Sequence, residues 1–161
     1  MRKVYRVLAF LVAIEVAIQA SFIVWGDAGL GLWIEEEGGV VDKATFETWL
    51  ESGDAPFTEF LGFMLHGMNG MFIIPLLALL LVISSFFAKV PRGVAFAFAV
   101  FGLVLLQVTL GLMGHAISAL GALHGINALV LFSTAAWTGV RVSRLTSRDA
   151  VPETAERRVA V

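Results

Sequence analysis

Four apolar stretches divide the chain, at about Val7 to Trp25, Phe60 to Phe87, Val94 to Met113 and Leu120 to Val140. Each reaches the roughly 18 residues that mark a bilayer-crossing helix. The pattern predicts an all-α integral membrane protein whose four transmembrane helices run up and down as a bundle. Helices in hydrocarbon satisfy their own backbone polar groups, so no strands are expected. Residues 1–140 then form the membrane domain. Residues 141–161, charged and containing Ser, Thr and Pro152, read as a disordered or loosely helical tail.

Between the first two spans, residues 26–59 read as an outer loop. Gly29, Gly31, Gly38 and Gly39 punctuate it, and Glu35 to Glu37 form an acidic run. From Asp42 to Glu51, Phe46, Trp49 and Leu50 recur at helical spacing. Asp42 suits an N-cap and Gly53 a stop. A short amphipathic helix is expected there at the outer interface, with Trp25, Trp33 and Trp49 in an aromatic belt. Pro75 is expected to kink the second span beyond His66, and Val90-Pro91-Arg92-Gly93 reads as a tight turn. The short link between spans three and four makes those helices antiparallel neighbours.

Composition fits this medium: of 161 residues, 58% are hydrophobic and only 15% charged. Where the charges lie matters more than their sum. Arg2, Lys3 and Arg6 precede the first span, Lys89 and Arg92 separate the second from the third, and Arg141, Arg144, Arg148, Arg157 and Arg158 follow the fourth. The 26–59 segment has Lys43 alone among many acidic residues. The positive-inside rule therefore puts both termini in the cytoplasm of a multi-pass plasma-membrane protein. Dispersed juxtamembrane basic residues give no nucleic-acid footprint. The absence of cysteine excludes disulfides, thiolate metal sites and c-type haem attachment. A basic start, an apolar core and Ala20 also fit a cleavable signal peptide, but Gln19 and Gly26 belong to a repeat that favours its retention.

That repeat organises the chain. Leu65-His66-Gly67-Met68-Asn69 recurs as Leu123-His124-Gly125-Ile126-Asn127. Upstream, Gln19 with Gly26 seven residues later recurs as Gln107 with Gly114. The reading is a Gln-helix and a His-helix, duplicated as two hairpins in the same orientation about an axis along the membrane normal. His66 and His124 would then stand at one depth in the outer half of the bilayer, on diagonally placed helices.

Two symmetry-related imidazoles suit the axial ligands of one haem b. Zinc would need three or four converging ligands, which the repeated phrases do not contain. Gly67, Gly70, Gly111, Gly114, Gly121 and Gly125 could leave room for a flat ring, and Phe63, Met64, Met68, Met71 and Met113 could line it. The plainer reading is that the glycines bring helices close and the histidines bond across the bundle. Asn69 and Asn127 suit either backbone or propionate contacts, or interhelical bonds. Glu15 and Gln19 share a helical face. As an intramembrane carboxyl, Glu15 is either a bundle-fixing group or a proton-transfer group. Gln107 and Thr109 are the polar interior groups of span three. His115, whose counterpart is Asp27, is a surface or propionate-contacting group and the alternative axial ligand.

Gln107-Val108-Thr109-Leu110-Gly111, a short loop and then Leu123-His124 at the head of an apolar helix resemble the haem A synthase family. Members of that family have two four-helix halves, with haem held by His pairs on the second and fourth helices of a half. The resemblance spans about Val7 to Val140 as one half, and implies haem ligation by His66 and His124. Where the family has a Glu three residues before the second-helix His, this chain has Phe63, and it has no second half. His66-Gly67-Met68-Asn69-Gly70 is also similar to a phrase in small four-helix membrane proteins of no assigned activity.

The resulting expectation is a bis-His haem b protein of the membrane. It would pass single electrons between a quinone or partner protein and the outer surface, with Gln19, Gln107 and Glu15 tuning the site or moving protons. No catalytic residue is assigned. The rivals are haem handling or sensing, and a non-haem subunit whose acidic loop docks a larger membrane complex.

Overall fold

The computed structural model describes residues 1–149, without the side chains of Phe46, Leu50, Arg148 and Asp149. Expectations for Pro152, Arg157 and Arg158, and for the packing of Phe46 and Leu50, lie outside the described residues. All regular structure among them is helical: α1 Arg2–Glu37, α2 Lys43–Ser52, α3 Phe60–Met68, a π-helical turn Asn69–Ile73, α4 Ile74–Ala88, α5 Gly93–Gly114 and α6 Ser118–Asp149. Four stretches are long and apolar enough to cross a membrane: Arg2–Glu37, Phe60–Ala88, Gly93–Gly114 and Ser118–Ser147.

One boundary differs from expectation. The supposed outer loop from residue 26 is helical as far as Glu37, so Gly29, Gly31 and Glu35–Glu37 lie on α1. At 36 residues this helix is about 54 Å long, well beyond the roughly 30 Å of a bilayer core. Glutamates are good helix formers, and the stop is Gly38, at φ 70°, with the Gly39 N–H donating to the Trp33 carbonyl at 3.2 Å. The segment from 141, read as a disordered or loosely helical tail, is helical as far as Asp149 within α6. The irregularity expected at Pro75 takes the form of a π turn. The helix widens into this turn just before the proline, where the Ile74 N–H reaches five residues back to the Asn69 carbonyl. A proline ring collides with the carbonyl four residues earlier, and a wider turn relieves this.

Other local signals are as read. Asp42 caps α2 by accepting from the Thr45 N–H at 2.7 Å, and Gly53, at φ 73°, ends it with its N–H on the Trp49 carbonyl. The cap holds the Asp42 carboxyl below the usual carboxylate range, chiefly through the Thr45 backbone N–H. Lys43 and Glu47, exposed and 3.6 Å apart, bridge one turn.

Residue contacts gather the chain into two compact units, Met1–Ile14 with the chain from Pro75 onward, and Glu15–Ile74. In the first unit the buried residues follow helical spacing: Tyr5, Ala9 and Val12 on α1, Ala78 and Leu81 on α4, Ala97, Val100 and Val104 on α5, and Leu131, Ala135, Thr138 and Val142 on α6. The Tyr5 hydroxyl donates to the Gly93 carbonyl at 2.8 Å, fastening the start of α1 to the start of α5. Gly114 and Gly121 let α5 and α6 approach closely, a β-carbon on Gly114 lying 3.1 Å from the Gly121 Cα.

The second unit is held by small residues and rings. A β-carbon on Gly62 would lie 2.5 Å from the Phe22 carbonyl oxygen, so only glycine permits this approach of α3 to α1. Trp33, Trp49, Phe57, Phe60 and Phe63 form a chain of ring contacts with centroids 5.6 to 6.0 Å apart. Trp33 and Trp49, both expected in an aromatic belt, meet edge to face. Many large apolar side chains are exposed along the spanning helices, among them Ile14, Phe72, Phe86, Phe98 and Leu129. Such surfaces suit contact with a lipid bilayer.

Candidate functional site

In the second unit, α1 shares a cluster of four polar side chains with α3 and the π turn that follows it. Glu15 and Gln19 lie one helical turn apart, as do His66 and Asn69, so two pairs face each other across the helices. His66 Nδ1 lies 3.0 Å from the Gln19 carbonyl oxygen. A carbonyl only accepts, so Nδ1 carries the proton and the neutral ring has its lone pair on Nε2. The Gln19 carboxamide Nε2 donates back to the His66 carbonyl. Asn69 Nδ2, buried, donates to Glu15 Oε2 at 3.0 Å and to Gln19 Oε1 at 3.1 Å.

The first unit holds a second cluster, on α5 and α6. His124 Nδ1 lies 3.0 Å from the Gln107 carbonyl oxygen, which fixes the same tautomer. Asn127 Nδ2, buried, donates to Gln107 Oε1 at 2.6 Å and to the Leu103 carbonyl at 3.0 Å. Two bonds are therefore common to both clusters, His ring to Gln backbone and Asn amide to Gln side chain. They differ at Glu15, whose counterpart by spacing is Leu103: a carboxylate oxygen accepts in one cluster and a backbone carbonyl in the other.

Of the expected site glycines, Gly114 packs on the Gly121 backbone, and a β-carbon added at each of the others separates them into two kinds. A β-carbon on Gly111 would lie 3.1 Å from Nδ1 and Cε1 of His124, and one on Gly70 would lie 2.5 Å from the Gln19 amide nitrogen. These two make room for site side chains. Gly67, Gly121 and Gly125 instead border open space. Met64, Met68, Met71 and Met113 are exposed, and Phe63 packs over Gly26. Thr109 donates to the Leu105 carbonyl of its own helix at 2.9 Å and joins neither cluster. His115 is an exposed residue at the C-terminal end of α5.

Two partners went unread in the sequence, the Leu103 carbonyl and the link from Glu15 to Asn69. The four-residue offset from Glu15 to Gln19, matched by that from Leu103 to Gln107, is the signal that marks them. Among the described residues no three His, Cys, Asp or Glu side chains converge as a zinc-type site requires. No family model, curated protein or solved structure matches the chain.

Proposed function

We propose that the chain is a haem b protein of the plasma membrane in which His66 and His124 are the axial ligands, the bundle being two repeated hairpins with both termini cytoplasmic. The observation supporting it is the same bond at both histidines, Nδ1–H to a glutamine backbone carbonyl at 3.0 Å. Such a bond orients an iron-binding imidazole, holds the tautomer that presents Nε2, and raises its basicity. Gln19 and Gln107 position the rings, Asn69 and Asn127 hold the glutamines, and Gly67, Gly70, Gly111 and Gly125 provide space. His115 stands as the alternative ligand.

A bis-His haem supplies one-electron transfer at an iron with no open coordination position. The chain's own part is to hold two neutral imidazoles in fixed tautomers in a medium that excludes water. A quinone or a redox protein would be the electron partner, and a larger membrane complex the setting.

A second reading rests on the same bonds. Gln, Asn and His side chains also join membrane helices, at about 0.6 to 1.7 kcal/mol per bond. Absorption spectra of the oxidised and reduced protein separate the two: a low-spin b-type α-band that depends on both histidines supports the haem, whereas a featureless spectrum after adding hemin leaves helix fastening.

A further inference from the structure

The first unit carries a strongly basic end. Between Met1 and Ile14 and between Pro75 and Ser147 the sequence has Arg2, Lys3, Arg6, Lys89, Arg92, Arg141 and Arg144 and no acidic residue at all. The fold brings these groups together. Arg2 Nη2 donates to the Lys89 carbonyl at 3.3 Å, so the start of α1 meets the turn between α4 and α5. Tyr5, one residue before Arg6, is bonded to Gly93, the residue after Arg92. Arg141 lies over the Phe96 ring, 4.8 Å from its centroid, one turn along α5 from Arg92. Arg144, one turn further along α6, lies 5.7 Å over Trp137.

Two features go beyond what topology alone asks of such charges. Lys89 and Arg92 both have left-handed backbone, at φ 51° and 57°, in a turn where glycine would be the unstrained choice. Arg92 occupies the N-cap of α5, where an accepting side chain is favoured and a guanidinium has none to offer. The turn thus keeps two long basic side chains, both exposed, at positions that favour other residues. Arg141 and Arg144 rest on aromatic faces, which limits their motion without neutralising them.

We infer that this end is a binding site for the phosphate headgroup of an anionic phospholipid, formed by Lys89 and Arg92 with Arg2, Arg6, Arg141 and Arg144 around them. The lipid's acyl chains would run beside exposed apolar side chains such as Phe86, Phe98 and Trp137. Each basic group near a headgroup strengthens attraction by about fivefold in affinity. The inference is independent of haem binding.

The test uses the full chain purified in a neutral detergent. Native mass spectrometry would count bound phosphatidylglycerol and phosphatidylcholine, and thermal unfolding followed by tryptophan fluorescence would be measured with each lipid and with inorganic phosphate. Wild type is expected to retain phosphatidylglycerol in preference and to be stabilised by it, and the pair Lys89→Gln with Arg92→Gln to bind it about 25-fold more weakly. If that pair does not fold, Arg6→Gln with Arg144→Gln carries the same expectation. Equal retention of the two lipids, unchanged binding in the variants, or displacement of the lipid by inorganic phosphate would overturn the inference.

Discussion

Gln19 and His66 are tied twice, in opposite senses: the imidazole Nδ1–H donates to the Gln19 backbone, and the Gln19 carboxamide donates to the His66 backbone. The ring-orienting half of this clasp needs no side chain from residue 19, because any residue there supplies the carbonyl. The carboxamide fixes the helices instead. The two roles come apart under mutation.

Replacing Gln19 by Leu is therefore expected to keep the His66 tautomer while removing two side-chain bonds, at a cost of about 1 to 2 kcal/mol. Gln107→Leu removes the one bond from Asn127 and should cost less. Thermal unfolding in detergent gives the order, and a larger loss for Gln107→Leu would contradict the assignment.

The glycines allow a sharper comparison. Gly111→Ala puts a methyl group 3.1 Å from the His124 ring. It should displace the imidazole and weaken the low-spin spectrum. Gly125→Ala meets open space and should leave the fold intact, even gaining up to about 1 kcal/mol of helix propensity. Gly125→Leu should fold and yet carry less haem, if the space there is where the ring lies. Haem-to-protein ratios by the pyridine haemochrome method would decide.

Asp42 gives a pH-dependent outcome outside the membrane. Its carboxyl is held below the ordinary range by the Thr45 N–H. A depressed folded pKa stabilises above the unfolded value, about 3.9, and that support is lost as pH falls through the folded pKa. Helix α2 is therefore expected to fray further below about pH 4, and Asp42→Ala to fray it already at neutral pH and to weaken that dependence on pH. Amide exchange across residues 43–52 reports it, and fraying near neutral pH in wild type would rule out this cap as the control.

Much of this was legible in the chain. Spanning helices announce themselves through apolar length. Asp42 and Gly53 bound α2 because capping and left-handed stops have strong residue preferences. The repeated phrase marked Gln19 and His66, and Gln107 and His124, as equivalent sets, while the bonds between them are visible only in the fold. What stayed hidden depended on tertiary contact or on competing local signals. Gly29 and Gly31 look like loop residues, yet α1 runs through them, with Gly29 packed against Glu59. Pro75 announces a helix irregularity but not its form as a π turn beginning at Asn69. Glu15 reads as a lone intramembrane acid until Asn69 is seen beside it.

The π turn is specific to the first cluster, since α6 passes Asn127 as regular helix. Pro75→Ala should let the Asn69–Ile73 segment tighten and turn His66 and Asn69 away from Gln19, leaving His124 untouched. Nitrogen-15 spectra of the two imidazoles would show the His66 signals alone shifting; equal shifts at both would refute a local role for the turn.

The most direct test is an absorption spectrum of the detergent-purified protein, oxidised and then dithionite-reduced, for wild type, His66→Ala and His124→Ala. The expected result is a sharp reduced α-band of b type in wild type that is lost or becomes high-spin in both variants. Wild type that stays colourless after hemin addition, or variants that keep the low-spin band, would contradict the assignment of His66 and His124 as the axial ligands.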